Sequence, residues 1–136
     1  MKRWLADRSA LIRLARAAEA DLWSHRLATH QVRVSALTVL EFGIASRSSA
    51  EWERVIGGPP LSALPREPLT RAIEDRAIEV QGLLAKRGQH RAPSLPDLLI
   101  AATAEVQGLT TLHIDKDFDL ISDITGQPVE RLELRA

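Results

Sequence analysis

Residues 94–118 read SLPDLLIAATAEVQGLTTLHIDKDF, and the fold turns on this stretch. Pro96 and Asp97 mark a helix start. Proline lacks an N–H that the first turn leaves unused, and an aspartate there faces the positive end of the helix dipole. Leu98 to Val106 is rich in Ala and Leu and continues as helix; Gly108 ends it. Thr110 to Ile114 is short, β-branched and apolar, the pattern of a buried strand. Asp115 and Asp117 then fall just beyond the carboxyl end of that strand, where open α/β sheets build their sites. One helix start and one strand end thus bring three carboxylates toward one place.

Working outward, Trp4-Leu5-Ala6 is a short apolar strand that ends at Asp7. Arg8 and Ser9 form the turn, and a helix is expected over residues 10–18 with Leu11, Leu14 and Ala15 on its apolar face. A second helix covers 20–28, with Leu22, Trp23 and Leu27 inward. Val32 to Ser35 reads as the second strand. Residues 36–45 follow as a helix with a Leu37, Leu40 and Ile44 stripe, and Glu41 lies beside that stripe. Ser48 and Glu51 make a capping-box pattern opening a helix that carries Trp52, Val55 and Ile56. Gly57-Gly58-Pro59-Pro60 stops it.

Leu61 to Leu64 is a weaker candidate strand. Pro68 opens a long helix to Arg87 with Leu69, Ile73, Ala77, Val80 and Leu84 inward. A polar, basic loop, Gln89 to Pro93, leads back to Pro96-Asp97. After Asp117 a short helix holds Phe118, Leu120 and Ile121, and Val129 to Leu132 is a candidate edge strand. The alternation predicts one three-layer α/β/α domain over residues 1–136, with a central parallel sheet of four to five strands.

The chain has 136 residues, enough for one domain with a real core. Lys plus Arg and Asp plus Glu are both 18, so the net charge is near zero and only the local distribution of charge can mark a nucleic-acid surface. The absence of Cys excludes disulfides and thiolate zinc sites and suits a reducing cytoplasm, the expected location. No apolar run is long enough to span a membrane or serve as a signal segment, and no membrane association is expected.

Asp7, Glu41, Asp97, Asp115 and Asp117 form the candidate constellation. Asp7 and Asp115 end strands, Asp97 begins a helix, and Glu41 follows a strand closely. No His or Cys joins them at ligand spacing, so the all-oxygen set suits Mg²⁺ or Mn²⁺. Carboxylates crowded together repel, which raises their pKa values, and a divalent cation offsets the repulsion. Such a site activates water and stabilises charge on a phosphodiester.

LADRSALIRL, TVLEFGI and SLPDLLIAATAEVQGLTTLHIDKDFDLI resemble, in order and spacing, the motifs of PIN-domain ribonucleases, and most closely the VapC-type toxins of bacterial toxin–antitoxin pairs. The resemblance covers essentially the whole chain and implies a Mg²⁺-dependent endoribonuclease, with Mn²⁺ able to substitute, that cleaves structured RNA such as tRNA or rRNA. It implies catalytic roles for Asp7, Glu41, Asp97 and Asp115. It also implies metal ligation by Asp7, Asp97 and Asp115, with Asp117 as a further ligand or an acid just behind the ligands and Glu41 close by. Ser9 is expected to orient Asp7 or a water. Arg8 stands where the family most often has Thr and either brings positive charge to a substrate phosphate or points to solvent, the latter slightly favoured. His113 stands where many members have Thr or Ser and is expected to be packed or hydrogen-bonded, not catalytic.

Arg13, Arg16, Lys86, Arg87, Arg91 and Lys116 are candidates for a phosphate-binding rim, because an acidic pocket repels RNA unless cations surround it. Surplus apolar residues, including Trp52, Val55 and Ile56, suggest a homodimer. A groove between the 36–45 and 49–56 helices is the expected seat for the tail of a VapB-like antitoxin, whose other half binds DNA and whose Arg or Lys reaches the acids. A haloacid-dehalogenase phosphatase wants an acid where Ser9 stands, and a receiver domain wants a second acid beside Asp7. Both fit less well. The alternative from another class is a catalytically inactive PIN-like interaction or RNA-binding domain, whose mark would be a missing site acid; none of the five is missing.

Overall fold

A computed structural model describes residues 1–136. Five strands form one parallel sheet: β1 (Trp4–Ala6), β2 (Val32–Ser35), β3 (Arg66–Glu67), β4 (Thr110–His113) and β5 (Val129–Arg131), in the order β3-β2-β1-β4-β5. Every pairing is parallel, with Trp4 opposite Val32 on one side and Thr110 on the other. The helices are α1 (Arg8–Leu11), α2 (Ala20–Ala28), α3 (Ala36–Ala45), α4 (Ser49–Gly57), α5 (Arg71–Lys86), α6 (Leu95–Gln107) and α7 (Lys116–Thr125). None is long and apolar enough to cross a membrane. From β1 the chain first builds outward on one side, through β2 and β3, and then returns to the other side with β4. That reversal puts a crevice at the carboxyl ends of β1 and β4.

Strand alternation divides the core. Leu5 packs with Ile73, Val80, Leu84, Ile100 and Phe118 on the face covered by α5, α6 and α7. Trp4 and Ala6 turn to the opposite face, against Leu11, Trp23, Val32, Val34 and Leu61. Side-chain caps set most helix starts: Asp7, Ser35, Ser48, Thr70, Ser94 and Asp115 each accept a backbone N–H of the first turn. Such bonds are typically worth about 1 kcal/mol each. Gly108 stops α6 at φ 69°, a left-handed conformation that glycine adopts without steric cost.

Several local expectations are corrected. The helix expected over 10–18 starts at Arg8, because Asp7 caps it, and gives way to a separate 3₁₀ turn at Leu14–Arg16. Leu61–Ala63 is a 3₁₀ turn, not a strand; the strand comes later, where Arg66 and Glu67 pair with Val34 and Ser35. The long helix starts at Arg71 under a Thr70 cap, leaving Leu69 outside it and 38% exposed. Leu22 is likewise exposed at 38%.

The α3 stripe is the largest difference. Thr38 is the buried residue of that helix, with Val39 and Phe42 packed against the core beside it. Leu40 and Ile44 are 63% and 86% exposed. Trp52 of α4, 48% exposed, lies so close over Gly43 that a Cβ there would come within 2.9 Å of its indole nitrogen. Val55 and Ile56 are half-buried against the core.

Candidate active site

Asp7 leaves β1 as the cap of α1. Its Oδ2 accepts the Ser9 backbone N–H at 3.1 Å and the Ser9 hydroxyl at 2.7 Å. The Ser9 Oγ itself accepts the Ile114 N–H at 3.0 Å, and the Asp7 N–H donates to Leu112 O at 2.9 Å. Two adjacent strand ends are thereby tied together at the crevice. Asp97 arrives from the first turn of α6, its N–H donating to Ser94 Oγ at 3.2 Å. Asp115 follows β4 and caps α7, its Oδ1 accepting the Asp117 N–H at 2.9 Å. Glu41 comes from the middle of α3, six residues after the β2 end.

Asp97, Asp115 and Asp117 each present an oxygen within 4.8 Å of the other two. Asp7 stands outside that tight triad but lines the same cleft, as does Glu41. Asp7 and Asp97 are both buried. Burial, then the charges of Asp115, Asp7 and Asp117 and a hydrogen bond shared with Asp115, push the Asp97 carboxyl up to about 7. Burial also raises Glu41, with the Asp7 charge adding to it and Arg8 opposing it. Asp117 is raised by burial and by Asp115, against Lys116. Glu41 Oε1 is buried with no partner. A buried acid of this kind is costly unless a cation or a proton satisfies it. The donor set is all oxygen, negative and incompletely satisfied, which fits a hard divalent cation.

The cleft measures about 560 Å³ and is lined mainly by polar residues, including Arg8, Arg13, Arg91 and Ser94 as well as the five acids and Ser9. Of the rim candidates, Arg13 and Arg91 therefore face the acids. Lys116 stands exposed between Asp115 and Asp117, while Arg16, Lys86 and Arg87 are exposed outside the cleft lining. Arg8 departs from the expectation that it points to solvent. It is half-buried in the cleft wall, with its guanidinium 5.3 Å from the Phe42 ring centroid. Being in the first turn of α1, not in a loop, turns it inward. Ser94 lines the cleft without being among the expected site residues; the Ser-x-x-Asp spacing over 94–97 is the capping signal that identifies it. His113 is fully buried, in keeping with a packed role.

A second recess of about 460 Å³ is apolar, lined by Leu11, Leu14, Trp23, Leu27 and Pro60 among others. It shares Ile12 with the acidic cleft. The exposed Leu40 and Ile44 of α3 and Trp52 of α4 lie on other elements than this recess.

The PIN domain family model matches residues 5–124. The chain is 54% identical over 134 residues to Ribonuclease VapC2 of Mycobacterium tuberculosis, covering 98% of this chain and 95% of that protein. It is 40% identical to Ribonuclease VapC51 of the same species, over 94% and 91% of the two chains. Among solved structures, DNA-bound VapBC from Salmonella typhimurium superposes with a TM-score of 0.75 at 19% identity, covering 96% and 98% of the two chains. VapBC-5 from Mycobacterium tuberculosis gives 0.70 at 22% identity, covering 98% and 100%. At those identities the structural likeness speaks to the fold.

Proposed function

This chain belongs to the PIN-domain family, and from that premise we propose that it is a divalent-metal-dependent endoribonuclease toxin of the VapC type, cleaving structured RNA such as tRNA or rRNA. The observation that carries the reading is the convergence of Asp97, Asp115 and Asp117 within 4.8 Å in a cleft that Asp7 and Glu41 also line. The ribonuclease names of the relatives that span almost the whole chain support it.

Asp97, Asp115 and Asp117 would hold the cation, with Asp7 beside them. Mg²⁺ fits such a donor set, and Mn²⁺ fits it comparably. When bound, the ion supplies a more acidic water and positive charge against the phosphodiester. The chain's own residues do the rest. Ser9 locks one oxygen of Asp7 and leaves the other free. Glu41, raised by burial and carrying an unpartnered Oε1, is suited to take up a proton at that atom. Arg8, Arg13 and Arg91 supply the positive charge that brings a phosphate backbone into an acidic cleft.

The apolar recess beside Ile12 is suited to the amphipathic tail of a VapB-like antitoxin whose other half binds DNA. A tail seated there passes directly into the acidic cleft, where an Arg would pair with the carboxylates. Leu40, Ile44 and Trp52 offer a separate apolar face for a homodimer.

The test is RNA cleavage by the purified chain. Cleavage should require Mg²⁺ or Mn²⁺, stop with a chelator, and vanish in a folded Asp97→Asn variant. Cleavage untouched by the chelator, or undiminished in Asp97→Asn, overturns the reading.

A further inference from the structure

His113 closes β4 and is wholly buried. Its Nδ1 accepts the backbone N–H of Asp115 at 3.1 Å. An accepting Nδ1 carries no proton, so the ring proton sits on Nε2. Nε2 lies 3.5 Å from Asp119 Oδ1 without hydrogen-bond geometry, so the bond to Asp115 is the ring's one directional contact. The ring packs on Phe118, with centroids 5.3 Å apart and planes at 46°. The His113 carbonyl accepts the Leu132 N–H at 2.9 Å, next to β5. Its backbone is thus clamped by the sheet, its ring is held by Phe118, and its nitrogen reaches two residues ahead. Nδ1 stands where the side-chain oxygen of an Asn or Asp stands in an Asx turn.

From this geometry we infer that His113 is a positioning residue for the metal-holding acids. By taking the Asp115 N–H it fixes the β4–α7 turn in the shape that lets Asp115 cap α7 and gathers Asp115 and Asp117 against Asp97. The inference rests on the metal-centre reading above. It assigns His113 a ligand-orienting task, which partners behind metal ligands commonly perform. His113 does not touch the substrate and takes no proton in the reaction.

Three substitutions separate this role from simple core filling. His113→Asn keeps an acceptor at the Nδ1 position, His113→Gln moves it to the Nε2 position, and His113→Phe removes it. The probe is Mn²⁺ alone, titrated calorimetrically into each folded protein. His113→Asn should bind within about threefold of the wild type, whereas the Gln and Phe variants should bind about tenfold to a hundredfold more weakly. Gln is closer to His in volume than Asn, so a purely packing role predicts that Gln retains affinity at least as well as Asn; equal Mn²⁺ affinities for these two variants, or tighter binding by Gln, overturn the proposal. The nitrogen resonances of the His113 ring, read on the metal-free wild type, should show the proton on Nε2. A proton on Nδ1 overturns the proposal whether or not any variant folds. Wild-type protein that binds no Mn²⁺ overturns the metal-centre reading itself and this role with it.

Discussion

The Ser9 hydroxyl accepts the backbone N–H of Ile114 at 3.0 Å, joining positions 105 residues apart. The same oxygen donates to Asp7 Oδ2 at 2.7 Å. A single hydroxyl therefore registers the acid after β1 against the strand that delivers Asp115. Replacing it should cost function more than stability. Ser9→Ala is expected to lower kcat about tenfold to a hundredfold, with a stability loss of only about 1 kcal/mol. Ser9→Thr should restore most of the rate. Single-turnover cleavage and thermal melts check this; an unchanged kcat in Ser9→Ala would show that the link has no catalytic consequence.

Asp97 makes the metal-free fold pH-sensitive. Its folded pKa, about 7, lies above the unfolded value near 3.9, so the native state holds the proton more tightly. The stabilisation is fully present below the unfolded value and is lost as pH rises through about 7. In chelator, the wild-type Tm should fall relative to Asp97→Asn between pH 5 and pH 8. Added Mg²⁺ should raise the wild-type Tm most at the upper end of that range, because the ion needs the ionised acid. Parallel Tm profiles for the two proteins would contradict this account.

Arg8 is set in the cleft wall against Phe42 and close enough to influence Glu41. It is expected to contact a substrate phosphate. In an Asp97→Asn background, expected to bind without cutting, Arg8→Met should weaken RNA affinity and reduce the slope of log affinity against log salt by about one. A slope identical to the parent's would return Arg8 to a purely packing role.

Arg91 and Arg87 lie four residues apart, but only Arg91 lines the acidic cleft. Charge reversal should therefore discriminate between them. Arg91→Glu is expected to raise KM for RNA markedly, and Arg87→Glu much less. Equal effects would mean that the rim extends farther over the surface than the cleft itself.

Ile44 is 86% exposed, and Leu40 one turn before it is 63% exposed, on a helix whose Val39 and Phe42 pack inward. If this face joins two copies, Ile44→Asp should convert a dimer to a monomer in sedimentation at micromolar concentration without lowering Tm through core damage. A wild-type monomer under the same conditions would remove the dimer from the account.

What could be read along the chain is what short-range chemistry controls. The Ala- and Leu-rich run after Pro96-Asp97 is a helix, and Gly108 ends it, because capping and glycine's left-handed freedom act within a few residues. Thr110–His113 is a strand because β-branched and apolar residues fit a sheet buried on both faces. Acids placed immediately after such strands and at such helix starts gather where the strand ends gather, and Asp7, Asp97, Asp115 and Asp117 line one cleft for that reason, while Glu41 reaches it from the body of α3. Long-range packing decided the rest. Whether Leu40 and Ile44 are covered depends on where α4 and the sheet edge come to lie, and no period within α3 reveals it. Arg66 and Glu67 are a strand only because Val34 and Ser35 pair with them. Arg8 turns inward because Asp7 caps α1 one residue earlier than a loop would allow. The meeting of Asp7 with Asp115 at one crevice depends on β4 lying beside β1 and on Ser9 reaching Ile114, contacts between residues that the chain brings together only by folding.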